Sequence, residues 1–219
     1  DYVSGSIQVV DPETGKFDTL YDRCDGQRLR GPNDLVFDGA GGFWFTDLGK
    51  TRERDSDRGA VYYAKADGSM IREAIFPLER PNGIGLSPDE RTLYVVETPT
   101  ARCWAFKLSG PGEIESANGP YRGEKGRVVA GLGGYQMFDS LAVDGEGHIC
   151  VATLITGAVS DIWPDGSRVD QYTLPDMMVT NVCFGGPDLR IAYATLSMGG
   201  TLVSFEWPRP GLPLPYLNR

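Results

Sequence analysis

Apolar and polar residues alternate along almost the whole chain with the two-residue period of β-strands, and Gly/Asp-rich turns break the alternation at short intervals. Leu35 and Phe37 lead into the turn DGAGG, and Phe43 and Phe45 resume the alternation after it. Ile84 and Leu86 stand in the same relation to Leu93 and Val95 around SPDER, as do Leu141 and Val143 to Ile149 and Val151 around DGEGH. Each unit predicts an antiparallel hairpin, and DGAGG supplies glycine where its turn needs positive φ. No window has the spacing of an amphipathic helix. Glycines and prolines punctuate turns rather than massing into a linker, which predicts one domain over residues 1–219.

The hairpins are repeats of one phrase. GPNDLVFDGAGGFWFTD from Gly31, PNGIGLSPDERTLYVVE from Pro81, FDSLAVDGEGHICVAT from Phe138 and VTNVCFGGPDLRIAYAT from Val179 each run from a polar residue through an apolar strand, a turn and a second strand. The opening residues Asn33, Asn82, Asp139 and Thr180 recur after 49, 57 and 41 positions. A period on the order of 40–50 residues built from short strands is that of a β-propeller blade. Two outer strands follow each of the first three hairpins: GAVYYAKADGSM and IREAIFPLE, then ARCWAFKLS and GRVVAGL, then GAVSDIWPDGS and VDQYTLPD. A longer loop, GPGEIESANGPYRGEK, separates the second pair, and GGTLVSFEW alone follows the fourth hairpin. SGSIQVVDPETG and KFDTLYD at the start read as the outer strands of a further blade. The expected fold is therefore all-β, a propeller of about four and a half blades built from antiparallel four-stranded sheets.

Composition narrows the function classes. With 41% hydrophobic and 23% charged residues the chain is globular in character, and no apolar stretch approaches the roughly 18 residues of a membrane span. A net charge of −9 argues against a nucleic-acid surface, which needs clustered Lys and Arg. The first residues carry no basic segment followed by an apolar run, which points to the cytoplasm. Cys24, Cys103, Cys150 and Cys183 form no CxxC pair and read as buried free thiols, with one disulfide through Cys24 or Cys103 left open. His148 is the only histidine, which excludes a multi-histidine zinc site; just past the GEG turn, it reads as strand-edge surface. GxSxG, GxGxxG and GxxxxGK[ST] patterns are absent.

In a propeller the first residues of successive inner strands converge on one axis. Asn33, Asn82, Asp139 and Thr180, followed by Asp34, Gly83, Ser140 and Asn181, predict a ring of oxygens there. Amide and carboxylate oxygens without imidazole or thiolate suit a hard divalent cation, Ca²⁺ first, with Mg²⁺, Mn²⁺ or Zn²⁺ as alternatives. Asp47, Glu97, Thr153 and Thr195 close the second strands. Asp38 and Asp144 lie in the turns and read as turn formers, and KTRERDSDRG reads as a solvated excursion. Tyr135, Met137 and Phe138 either wall a pocket or pack.

The phrases DGQRLRGPNDLVFD, GGFWFTD, RPNGIGLSPDERTLYVVET, FDSLAVDGEGHICVAT, NVCFGG and FEWPRPGLPL run nearly the whole length of the chain. In that order they resemble the gluconolactonase, senescence-marker (regucalcin) and luciferin-regenerating family of six-bladed propellers. The resemblance implies metal-dependent hydrolysis of lactones, with organophosphates as substrates of some relatives. It implies Asn82 and Asp139 as metal ligands and Asn33 as a ligand or a substrate contact, with Ser140 beside the metal aspartate. Asn33, Ser140 and Asn181 are the candidate substrate contacts. Asp139 is the candidate base, with Asp34 in reserve. In sugar-lactonase members an arginine stands two residues before the PND asparagine, where this chain has Gly31. The family's EGP glutamate, a further ligand, has no counterpart here, which corresponds to about one and a half blades, on the order of 60–75 residues, absent from the front. A truncated sequence, a second chain or second copy covering the gap, or a tighter closure would account for it, the first being preferred. The rival to an enzyme is a non-catalytic, calcium-stabilised propeller acting as a binding or scaffold protein. Strictosidine-synthase-like chemistry needs a catalytic glutamate that the chain does not supply at a recognisable position.

Overall fold

The computed structural model describes residues 1–115 and 126–217. Most of the long loop expected after Ser109 therefore lies outside the described residues. Among the described residues, twenty strands form six antiparallel sheets. β1 (Ile7–Val10) pairs with β2 (Phe17–Tyr21), and a small hairpin, β3 (Arg23–Cys24) and β4 (Gln27–Arg28), follows. The first complete blade is β5 (Pro32–Phe37), β6 (Gly42–Asp47), β7 (Gly59–Lys65) and β8 (Ile71–Leu78). The second comprises β9 (Pro81–Leu86), β10 (Thr92–Glu97), β11 (Arg102–Gly110), β12 (Glu113–Ile114) and β13 (Arg127–Gly131). The third is β14 (Met137–Val143), β15 (Ile149–Leu154), β16 (Ala158–Ile162) and β17 (Val169–Thr173). The fourth has three strands, β18 (Val179–Gly185), β19 (Ile191–Leu196) and β20 (Thr201–Glu206). This is the expected β-propeller arrangement, with four blades preceded by an outer pair of strands.

The two-residue period explains how the blades stack. Phe43 and Phe45 of β6 pack towards Ile7, Tyr21 and Cys24, whereas Trp44 between them packs into the second blade with Ile84, Leu93 and Val95. Tyr94 and Val96 of β10 face Phe138, Val151 and Ile162 of the third blade. Cys150 and Ala152 of β15 face Val179, Val182 and Ala194 of the fourth. Successive side chains of a second strand thus serve two different cores, and β6 and β15 are buried at every position. Burial on that scale is the main force holding the blades in register.

Two readings of the sequence are corrected. His148 is buried at 8% exposure, because both faces of the adjacent β15 are covered. Its ring packs 5.2 Å from Trp163 and its Nδ1 lies 2.8 Å from Asp161 Oδ1. Cys24, Cys103 and Cys150 are buried, but Cys183 is exposed, because the alternation of β18 sends Val182 into the blade core and Cys183 towards the channel. All four thiols are free. Phe138 packs in the core with no exposed surface while Tyr135 is exposed.

Asp38 and Asp144 act as the turn formers their positions suggest. Asp38 Oδ1 accepts the Ala40 and Gly42 N–H groups, and Asp144 Oδ1 accepts those of Glu146 and His148. Asp144 has a second role. Arg209, in the C-terminal segment, places Nε 2.5 Å from Asp144 Oδ2 and Nη2 2.6 Å from Asp161 Oδ2. Past this clamp Gly211 bridges to Asp144, Leu212 N–H donates to Val143 O, and Tyr216 meets Phe37 edge-on at 5.2 Å. The segment therefore crosses from the third blade to the first.

Candidate functional site

Every inner strand departs from regular pairing at the positions that were expected to carry oxygens. Pro32 pairs with Asp47 and Leu35 with Phe45, so Asn33 and Asp34 together oppose Thr46. Pro81 pairs with Glu97 and Ile84 with Val95, leaving Asn82 and Gly83 opposite Val96. Phe138 pairs with Thr153 and Leu141 with Val151, leaving Asp139 and Ser140 opposite Ala152. In β18 the register slips by Thr180 alone. A β-bulge bends its strand and re-aims the extra side chains, and such bulges concentrate beside active sites.

The second and third bulges meet because β9 and β14 approach closely. A Cβ on Gly83 would lie 2.6 Å from Leu141 N and 2.7 Å from Asp139 O, so only glycine fits. Gly83→Ala is expected to force the two strands apart, lowering stability by about 1–3 kcal/mol and weakening cation binding. Thermal melts with and without Ca²⁺ check this. Unchanged melting and an unchanged Ca²⁺ response would show that the close approach does not matter.

Asn82 is buried at 5% exposure. Its amide nitrogen donates to Thr98 Oγ1 at 3.1 Å and reaches the Asp139 carboxylate. Its Oδ1 is buried with no hydrogen-bond partner. Such an orphaned acceptor is costly unless something else occupies it. Asp139 is half-buried and takes hydrogen bonds from the Asn82 amide and the Ser140 N–H, yet burial pushes its pKa up to about 6. Asp34 is also pushed up to about 6, by burial first and by the nearby negative charge of Asp139 last. It accepts hydrogen bonds from Leu35 N–H, the Ser140 hydroxyl and Ile84 N–H. Two crowded carboxylates and an unpartnered amide oxygen form a hard, all-oxygen donor set that fits a divalent cation.

The site thus brings together Asn82, Asp139, Asp34 and Ser140. Asn33 is solvent-exposed beside Asp34, and Asn181 lies exposed one step further along the channel wall. Thr180 is occupied within its own blade, its Oγ1 2.8 Å from that of Thr195. The acids ending the second strands brace loops. Asp47 accepts the N–H groups of Arg30, Gly31 and Gly49, and Glu97 accepts Glu79 N–H and the Thr100 hydroxyl. Thr46 was not anticipated: its hydroxyl donates to Asn82 O at 2.6 Å and accepts Asp34 N–H, tying the first two bulges together. Its place opposite the Asn33–Asp34 bulge was the available signal. Gly31 has no room for a side chain, since a Cβ would lie 2.7 Å from the Tyr2 ring and 2.9 Å from Gly49 O.

Asp144, Cys150 and Asp161 also offer ligand atoms within reach of one metal ion. The Arg209 guanidinium already pairs with both carboxylates there, so their charge is met by a fixed cation.

The sign of the pH dependence follows from the two raised carboxylates. Between the ordinary value of 3.8 and about 6 the native state binds more protons than the unfolded chain, so metal-free stability falls as pH rises through this range. Metal-free protein is expected to melt higher at pH 5 than at pH 7 relative to Asp139→Asn. Saturating Ca²⁺ reverses the order, because the cation binds the ionised form. Melting curves at the two pH values check it, and an identical pH response in protein and variant would contradict it.

The SMP-30/gluconolactonase/LRE-like region model matches residues 3–198. A gluconolactonase from Zymomonas mobilis is 31% identical over 191 residues, covering 82% of this chain and 52% of that protein. A diisopropyl-fluorophosphatase from Loligo vulgaris is 27% identical over 199 residues, covering 85% of this chain and 60% of that protein. The chain therefore spans little more than half the length of these relatives. Among solved structures, a calcium-binding protein, regucalcin, from Agrobacterium tumefaciens superposes with a TM-score of 0.77 over 98% of this chain and 74% of that one. At 23% identity this likeness speaks to the fold alone.

Proposed function

Because the chain belongs to the SMP-30/gluconolactonase/LRE-like family, we propose that it hydrolyses a lactone at the Asn82–Asp139 site with the help of a divalent cation. The observation that carries this reading is the buried, unpartnered Oδ1 of Asn82 beside two carboxylates raised to about 6. Asn82 and Asp139 would hold the cation, with Asn33 completing the protein ligands. The oxygen donor set favours Ca²⁺ and admits Mg²⁺, Mn²⁺ or Zn²⁺. A cation bound there supplies a Lewis acid that polarises the ester carbonyl.

The chain's own groups supply the proton chemistry. Asp139, the carboxylate beside the position of the cation, is the base that takes a proton from the attacking water. Asp34 is the reserve, because three donors already engage its oxygens. Ser140 donates its hydroxyl to Asp34 and its N–H to Asp139, fixing the two carboxylates relative to each other. Asn181, and Asn33 if it is not on the cation, are the exposed substrate-contacting amides of this reading.

The test is Ca²⁺ titration into EDTA-treated protein, followed by melting and by pH-stat hydrolysis of a lactone panel and, separately, of diisopropyl fluorophosphate. At a hundredfold excess over Kd, Ca²⁺ should raise Tm by about 5–10 °C and turn hydrolysis on. A raised Tm without turnover of any substrate supports the calcium-stabilised, non-catalytic propeller instead. No change in either overturns both readings.

A further inference from the structure

The channel does not end at the Asn82–Asp139 pair. A cavity of about 530 Å³ begins at the residues that directly follow the bulges, Leu35 after Asp34 and Leu141 after Ser140, and runs towards the turns at the far ends of the inner strands. At roughly 3.3 Å per strand residue, its near wall lies within a few ångströms of the carboxylates. Ile84, Val182 and Phe184 continue the wall, and Leu214 and Tyr216 of the C-terminal segment close its floor. Its volume is in the range of about 300–1,000 Å³ typical of small-molecule sites. Leu35 is 44% exposed in this space, and Cys183 is exposed there too.

The polar side chains that line this cavity are largely engaged already. Ser87 Oγ donates to Asp89 and accepts Thr92 N–H, and the Glu90 carboxylate accepts Gly39 N–H. Asn181 is the one lining amide not held in this way among the described residues. Against a wall made mostly of aliphatic and aromatic side chains a polyhydroxylated ring would regain only part of the hydrogen bonds it gives up to water, whereas a hydrocarbon chain has none to give up.

We propose that this chamber holds the aliphatic substituent of the substrate, so that the lactone hydrolysed is an alkyl-substituted one rather than a sugar lactone. This rests on the lactonase reading above and gives it a substrate class. Buried methylenes bind ground state and transition state alike, so chain length acts on KM rather than kcat.

The experiment compares γ-butyrolactone, γ-hexalactone and γ-decalactone with gluconolactone in the Ca²⁺-loaded protein. The kcat/KM should rise on the order of a hundredfold from the hexa- to the decalactone through KM, with gluconolactone the poorest substrate. In Cys183→Trp, which fills the chamber, the ratio of decalactone to butyrolactone kcat/KM should collapse. Cys183 in the unmutated protein is a second readout that needs no turnover: γ-decalactone should slow its alkylation by maleimide, and gluconolactone should not. Turnover with no chain-length preference and no protection of Cys183 overturns the chamber while leaving the hydrolase reading standing. Protection without turnover of any lactone supports the chamber and defeats the hydrolase reading. Neither turnover nor protection defeats both.

Discussion

Asp139→Asn is expected to lose lactone hydrolysis by about 10³-fold or more while leaving the metal-free protein at least as stable as before. Asparagine keeps the shape of aspartate and can still meet the Asn82 amide, but it can neither take a proton nor offer a charge to a cation. Burial already penalises the ionised form of Asp139, raising it to about 6, so removing the charge relieves the fold rather than damaging it. The variant should therefore lose the Ca²⁺-induced rise in Tm together with activity. Activity and melting measured on one preparation separate this from misfolding. A variant that keeps hydrolysis within threefold of the original rate would remove Asp139 from the mechanism.

Arg209→Ala is expected to be strongly destabilising. Its guanidinium sits between Asp144 and Asp161, which are 0% and 1% exposed. Removing it leaves two buried carboxylates without their cation, which costs about 3–5 kcal/mol and lowers Tm by about 10 °C or more. Replacing Asp144 and Asp161 by asparagine and Arg209 by methionine together should recover much of the loss. A Tm shift under 2 °C for Arg209→Ala would show that the clamp contributes little. The same substitution loosens the C-terminal segment, since Arg209 precedes the Gly211 bridge to Asp144.

Blade architecture was legible because it is written locally. Phe43, Trp44 and Phe45 alternate between two cores, and the turns DGAGG and DGEGH fall where the hairpins reverse. The oxygens were legible because the repeat fixes their register, which the bulges at Asn33–Asp34, Asn82–Gly83 and Asp139–Ser140 share. What escaped notice depends on long-range partners. Arg209 and Asp144 lie 65 residues apart, and neither position carries a local sign of the other. His148 reads as surface because its neighbours in the chain are glycines and a glutamate, whereas its burial comes from Trp163 and Asp161 across the sheet. Thr46 looks like one more strand residue until β9 is laid beside it. In the fourth blade the repeat itself misled: Thr180 keeps the register but turns to Thr195, because its strand slips by a single residue.

The two-against-one pairing of the first three inner strands has an evolutionary corollary. Apart from Gly83, which the close approach of β14 restricts to glycine, residues looped out of the ladder answer neither to the apolar alternation nor to a regular cross-strand pair, so exchanging their side chains disturbs the sheets little. Each of these three blades therefore carries a socket whose contents can be rewritten largely independently of the scaffold. New chemistry on this ring can come from editing a few adjacent letters per repeat, with no need to invent another core.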